Sequence, residues 1–250
     1  MKLSLIQMQV APGNTGRNLE TACQRIAEAA AADADVVLLP EALDYGWMNE
    51  SARDKTEGMN TAPLREAARR HSVYVCAGLI EKCGEALYNT AVLIGPDGEI
   101  LLTHRKINEL EIAHSLYCCG TDPQAPIDTP FGRIGLHICA DAFAENQWIS
   151  RKIATQGADI ILSPCAWAVP PDFDPGTTTY GAIWRENYTP VTKEHACWIA
   201  GCSNIGAIES GPWTGHRCIG NSMVVNPEGE EVVTGPFGEE AILTVEIFSN

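Results

Sequence analysis

No apolar run in this 250-residue chain approaches the roughly 20 residues that a membrane-spanning helix needs. The first residues, Met1 to Gln7, carry one charged side chain and a short apolar run broken by Gln7 and Gln9, so they read as a first strand and not as a signal peptide. Basic residues are scarce. Lys and Arg number 17 against 32 Asp and Glu, a net charge of −15, which excludes nucleic acid or an anionic membrane surface as partner because both demand a basic face. The ten cysteines are too sparse for a disulfide scaffold, and they read as reduced thiols in a cytoplasmic protein. Metal and nucleotide motifs are also missing. There is no C-x-x-C, no H-E-x-x-H, no P-loop and no G-x-G-x-x-G, so neither a metal nor a cofactor is expected. Gly201-Cys202-Ser203-Asn204-Ile205-Gly206 misses the serine-hydrolase spacing G-x-S-x-G by one residue.

What the chain does have is the composition of a globular protein, 45% hydrophobic and 20% charged. Its pattern alternates strands and helices. A strand from Lys2 to Gln9 precedes a helix from about Asn18 to Ala32, with Leu19, Cys23, Ile26 and Ala30 on one face. A buried strand, Ala34 to Glu41, follows, then a helix from Thr61 to Arg70 with Pro63 in its first turn, and a strand from Val73 to Ile80. Leu87 to Ile94 and Glu99 to Thr103 flank the turn Gly95-Pro96-Asp97-Gly98, which predicts a hairpin.

The chain then repeats itself. Ala34-Asp35-Val36-Val37-Leu38-Leu39-Pro40-Glu41 is matched 124 residues later by Ala158-Asp159-Ile160-Ile161-Leu162-Ser163-Pro164-Cys165, and the same offset carries His71–Gly78 onto His195–Cys202. The hairpin recurs at a slightly larger offset, Asn89–Thr103 onto Asn221–Thr234. Each half offers a sheet with helices on one face only, and two bare sheet faces bury each other. The expected architecture is therefore α/β, a four-layer α-β-β-α sandwich of two pseudo-symmetric halves, with residues 1–250 forming one domain.

Function should lie where the halves differ. Glu41 is opposed by Cys165, and Cys139 aligns near Met8. A carboxylate ending an apolar strand is costly to bury alone, although an isolated Pro-Glu is more often a loop cap. Cys139 closes the strand Arg133 to Ile138, just before a helical pattern that starts at Glu145, so its thiol should sit near a helix N-terminus that favours thiolate. Free cysteines are usually small core hydrophobes, and position alone says little. Lys106, in His104-Arg105-Lys106-Ile107-Asn108, supplies a cation where the second half has Phe237. Together the three form a chemical set: a thiol nucleophile, a carboxylate to take its proton and an ammonium to stabilise thiolate and oxyanion.

At these residues the sequence resembles the nitrilase, or carbon-nitrogen hydrolase, superfamily. Leu39-Pro40-Glu41, His104-Arg105-Lys106-Ile107-Asn108 and Gly135-Leu136-His137-Ile138-Cys139-Ala140-Asp141 stand in the order of its Glu, Lys and Cys blocks, and the resemblance covers nearly the whole chain. It implies Glu41 as base, Lys106 as stabiliser and Cys139 as nucleophile, in a sandwich that packs into a homodimer or larger homo-oligomer. Relatives often carry Tyr or Trp after the cysteine, whereas here Ala140-Asp141 follows, which counts against a nitrile. Amidase-like relatives have a second glutamate past the lysine. An ungapped count falls near His114, with Glu109 and Glu111 as the candidates for that role. Further pocket candidates are Asp141, Cys165, Trp167, Tyr180 and Trp184, although aromatics are more often core than pocket. Asp172, Asp174 and Glu209 read as solvated loop charges. The expected activity is hydrolysis of a small linear amide or N-carbamoyl compound through a Cys thioester. The alternatives are a nitrilase, or a catalytically silent sandwich used as a binding module.

Overall fold

Apolar residues alternate along the first strand, Leu3 and Leu5 facing one way and Ile6 the other, and both sets are fully buried. Such a strand needs cover on both faces, and the chain supplies it. The computed structural model describes residues 1–247. β1 (Lys2–Gln7), β2 (Val36–Leu38) and β3 (Tyr74–Cys83) run parallel, β4 (Ala86–Ile94) returns antiparallel to β3, and β5 (Ile100–Arg105), antiparallel to β4, runs again in the direction of the first three. The second sheet holds β6 (Ile127–Thr129), β7 (Gly132–Leu136), β8 (Ile160–Cys165), β10 (Trp198–Ser203), β13 (Met223–Val225) and β14 (Glu231–Thr234). Three short strands, β9 (Ala168–Val169), β11 (Ile205–Ala207) and β12 (Arg217–Ile219), make a small third sheet. The last strand, β15 (Ala241–Glu246), returns to the first sheet and pairs antiparallel with β1.

The sheet orders are β15-β1-β2-β3-β4-β5 and, read from the matching edge, β6-β7-β8-β10-β13-β14. They are the same order with the same strand directions. Register agrees too. Val36 pairs with Tyr74 as Ile160 pairs with Trp198, each 124 residues on, and both hairpins carry an irregularity at the corresponding place, Leu93/Ile94 and Val224/Val225.

Helices α1 (Thr15–Ala31) and α2 (Ala62–His71) cover the outer face of the first sheet through Leu19, Ala22, Ile26, Leu64 and Ala68. On the second sheet, α3 (Trp148–Thr155) and α4 (Ala182–His195) do the same through Ile149, Ile153, Trp184, Tyr188 and Val191. The inner faces, with Leu3, Leu5, Leu38 and Leu93 on one side and Ile134, Leu136, Ile160 and Leu162 on the other, share one core. The result is the α-β-β-α sandwich. α2 and α4 each end on a left-handed residue, Ser72 and Ala196, again 124 residues apart. No helix among the described residues is long and apolar enough to cross a membrane.

One expected element shifts. The helical pattern expected from Glu145 starts only at Trp148, because Asn146 and Gln147 hold left-handed φ values of 53° and 51° that no right-handed helix accommodates. A five-residue 3-10 turn, Cys139–Phe143, follows β7 after His137 and Ile138.

Candidate active site

Three loops leaving strand ends converge on one cavity. Glu41 follows β2, Lys106 follows β5 and Cys139 follows β7, and all three line a cavity of about 320 Å³. In sheets with parallel strands the crevice beyond the strand C-termini is where loops bring chemistry together.

Glu41 is buried, and its Oε1 accepts from Lys106 Nζ at 2.7 Å and from the Asn89 amide. Its Oε2 has no hydrogen-bond partner among the described residues. The Glu41 amide donates to the Cys165 carbonyl at 3.2 Å, tying the two matching strand ends together. The close approach here needs Gly78, where a Cβ would fall 2.5 Å from Glu41 Cα.

Lys106 bridges two carboxylates, reaching Glu109 Oε2 at 3.5 Å as well as Glu41. Burial opposes its charge, but Glu109 and Glu41 outweigh that penalty and hold the ammonium well above its ordinary pKa. Burial also pushes Glu109 up to about 7, against the pull of Lys106 and with the push of Glu41.

Cys139 opens the 3-10 turn in the left-handed region, φ 44°, a conformation that costs a non-glycine residue about 1–2 kcal/mol. Its amide donates to Ser163 Oγ at 3.2 Å. The helix N-terminus expected beside the thiol is not there, since α3 begins at Trp148. Burial, then Cys165 and Glu41, drive the thiol pKa well up, with Lys106 pulling the other way, so at rest the sulfur holds its proton.

Asp141 holds this turn against the lysine loop. Its Oδ2 meets His104 Nε2 at 2.7 Å and accepts the Ile138 amide at 2.9 Å, while Oδ1 accepts the amides of Ile107 and Asn108 at 3.0 and 2.7 Å. Burial opposes its charge, but the bond from His104 and those from the Asn108 and Ile138 amides keep the carboxyl below its ordinary range. Asn108 Nδ2 adds a bond to the Ala140 carbonyl at 2.6 Å. Asp141 is fully buried and does not line the cavity, so the sequence-based expectation of a pocket residue is replaced by a clamp.

The other candidates separate. Glu109 joins Lys106, whereas Glu111 and His114 lie exposed on the 3-10 turn Glu111–Ser115, with His114 Nε2 3.6 Å from Cys119 Sγ. Cys165 is buried beside Ser163 and Tyr188, and its side chain is not on the cavity wall. Trp167, Tyr180 and Trp184 do line the wall; the two indoles stack at 4.5 Å and Trp184 Nε1 donates to Tyr180 Oη at 3.2 Å. Sequence reasoning missed Trp47, Leu110, Phe143, Ile183 and Trp213 on the wall and Asn89 behind Glu41. Asn89 left one signal, an amide inside an apolar strand where asparagine is disfavoured. A second cavity of about 350 Å³, around Glu81, Tyr88, Arg105 and Gly120, contains none of the three convergent residues.

Comparison with known proteins bears on this arrangement. The carbon-nitrogen hydrolase family model matches residues 2–250. An omega-amidase from Xenopus laevis is 31% identical, with 98% of this chain and 88% of the relative aligned, and one from Homo sapiens is 32% identical with the same coverage. A nitrilase from Pyrococcus abyssi is 29% identical over 99% of this chain and 89% of its own length. Among solved structures, a carbon-nitrogen hydrolase from Helicobacter pylori superposes with a TM-score of 0.84 at 20% identity, covering 98% of this chain and 87% of the other. An amidase from Nesterenkonia sp. gives 0.83 at 21%, covering 98% and 92%. These two show a shared fold.

Proposed function

This chain belongs to the carbon-nitrogen hydrolase family and acts on carbon-nitrogen bonds, and from that premise we propose that it hydrolyses a small linear amide through a thioester on Cys139, with Glu41 as general base and acid and Lys106 as stabiliser. The observation that carries the reading is that these three side chains open on one cavity while Glu41 keeps one buried oxygen without a partner among the described residues. Residues 1–250 act as one domain in this reading.

The steps follow from the protonation states. At rest the thiol is neutral and Lys106 is charged. As Sγ attacks the amide carbon, its proton passes to the free oxygen of Glu41, and the S–C bond forms as the C=O bond becomes an oxyanion facing the Lys106 ammonium. Protonated Glu41 then gives its proton to the amide nitrogen, the C–N bond breaks and ammonia leaves. A water takes its place, loses a proton to Glu41 and attacks the thioester. The acid leaves and the sulfur regains its proton. Of the two candidates for a second catalytic glutamate, Glu109 and Glu111, it is Glu109 that reaches Lys106, and we assign it to holding that ammonium. The amidase names of the relatives support an amide over a nitrile. An N-carbamoyl compound presents the same carbonyl and nitrogen to these groups.

Mass spectrometry of protein mixed with a slow amide tests the reading. The expected result is an acyl adduct on Cys139 that builds up, and an ammonia release that Cys139→Ala abolishes and Glu41→Gln lowers by roughly 10²- to 10⁴-fold with the fold intact. An adduct on another cysteine, or a Glu41→Gln protein with normal turnover, would overturn it.

A further inference from the structure

The walls of the cavity say what the rest of the substrate is. Besides Glu41, Lys106 and Cys139, they are built from Trp47, Phe143, Trp167, Tyr180, Trp184 and Trp213, together with Leu110, Ile183 and three alanines. The one cation among the lining residues is Lys106, and it is already engaged by Glu41 at 2.7 Å and Glu109 at 3.5 Å. Guanidinium groups on elements that carry the walls are occupied, Arg105 among them by Glu81. Arg185 pairs with Glu231 and donates to the Tyr180 carbonyl at 3.1 Å, and Arg217 reaches the carbonyls of Pro171 and Phe173 at 3.5 and 3.3 Å. His216 stacks on Trp213 at 5.0 Å and is not on the wall.

From this we infer that the physiological amide carries an uncharged apolar group, a branched alkyl chain or one aromatic ring, on the side of the carbonyl away from the leaving nitrogen. The inference rests on the amidase reading above and deepens it. A substrate carboxylate in this cavity would lose its water against indole and alkyl surface with no free counter-charge among the described lining residues, only neutral donors such as the unpartnered indole N–H groups of Trp47 and Trp167, and it would add another carboxylate beside Glu41 and Glu109. A substrate ammonium fares better electrostatically, since aromatic faces attract cations, but here its approach ends at the Lys106 ammonium. A flat or branched neutral group meets neither penalty. The stacked Trp167 and Trp184 rings, 19° from parallel at 4.5 Å, give it a preformed wall. Size sets the upper bound. A cavity of about 320 Å³ is at the small end of ligand pockets, which limits the group to one ring or a short branched chain.

Ammonia release from isovaleramide, phenylacetamide, succinamic acid and 4-aminobutanamide tests the inference. We expect kcat/KM for the better neutral amide to exceed that of either charged amide by at least about 100-fold. A charged amide turned over as well as the neutral ones overturns the inference and leaves the amidase reading standing. Should no amide react, that failure belongs to the amidase reading, and equilibrium binding to the Cys139→Ala protein decides the inference separately. Isovaleramide or phenylacetamide binding more tightly than succinamate supports it, and the reverse order refutes it. Ile183 is 45% exposed and on the wall, so Ile183→Arg supplies the missing counter-ion without burying it. That variant should raise succinamate kcat/KM relative to isovaleramide by roughly tenfold. An unchanged ratio would mean that charge in this cavity does not govern selection.

Discussion

Asp141→Asn probes most directly how the site is held together. The wild-type carboxylate is buried and takes four donors, two on each oxygen. Asparagine keeps the shape but offers one acceptor oxygen. With that oxygen toward the Ile107 and Asn108 amides, its NH₂ group faces His104 and the Ile138 amide. The imidazole can switch tautomer and accept, because its other nitrogen has no partner among the described residues. The Ile138 amide cannot. One buried backbone donor is then unsatisfied and a charge-assisted network becomes neutral, for a loss of about 2–4 kcal/mol. In a chain of this length that lowers the thermal midpoint by roughly 5–15 °C. Because Asp141 ties the Cys139 turn to the Lys106 loop without touching the cavity, kcat should fall by roughly 10- to 100-fold while KM changes little. Thermal unfolding followed by steady-state kinetics on one amide measures both. A midpoint within about 1 °C of wild type, or a loss confined to KM, would refute the clamp.

Two further outcomes follow from other parts of the structure. Gly78→Ala places a Cβ 2.5 Å from Glu41 Cα and 2.9 Å from the Pro40 carbonyl, both backbone atoms, so it should cost about 1–3 kcal/mol and displace Glu41 with a kcat loss near 100-fold; a fully active, equally stable variant in urea titration and turnover assays would contradict the close approach. His137 is buried and held down to about 4, chiefly by burial, with Asp141 raising and His104 lowering it. A depressed folded value means the stability it contributes is complete above its unfolded pKa of about 6.5 and is lost, by roughly 3 kcal/mol, as pH falls toward 4. Urea midpoints from pH 7.5 downward should show a slope that His137→Asn flattens, and parallel curves for the two proteins would dispose of the assignment.

Much of this was legible in the sequence because it was written twice. The strand pairs around Val36 and Ile160 share one pattern, and the structure gives them one register. What could not be read were features that depend on local dihedrals or on distant partners. Asn146 and Gln147 are not glycines, so nothing in their identity announced the left-handed pair that delays α3. Asp141 follows the nucleophile candidate by two residues and looked like a pocket group, because its four donors come from Ile138 and from a loop more than thirty residues away. Trp47 and Trp213 meet edge to face at 5.2 Å across 166 positions of sequence, a contact that no periodicity reports.

The repeat also explains why the site is single. Leu3 pairs with Val36 and Ile134 with Ile160, so the first and second halves correspond at an offset of 131 here (134 − 3), and the mate of Cys139 is Met8. The mate of Glu41 is Cys165, 124 residues on, and that of Lys106 is Phe237, at the hairpin offset of 131. Met8 is buried and Phe237 stacks on Phe173 at 5.7 Å, so two of the three mates are packing groups. The third mate, Cys165, is not acidic, and the geometry gives a reason. The Glu41 amide bonds to the Cys165 carbonyl at 3.2 Å, which places the two equivalent positions side by side at the meeting of β2 and β8. Glutamate at both would set two buried carboxylates against each other with Lys106 between Glu41 and Glu109 already, and one of the pair would be forced to hold a proton. In the proposed mechanism Glu41 is the base, and a base that is already protonated takes nothing from a thiol. On the proposed mechanism the symmetry that builds the crevice therefore has to be broken at its centre for proton transfer, and Cys165 in place of a second glutamate is the form that break takes.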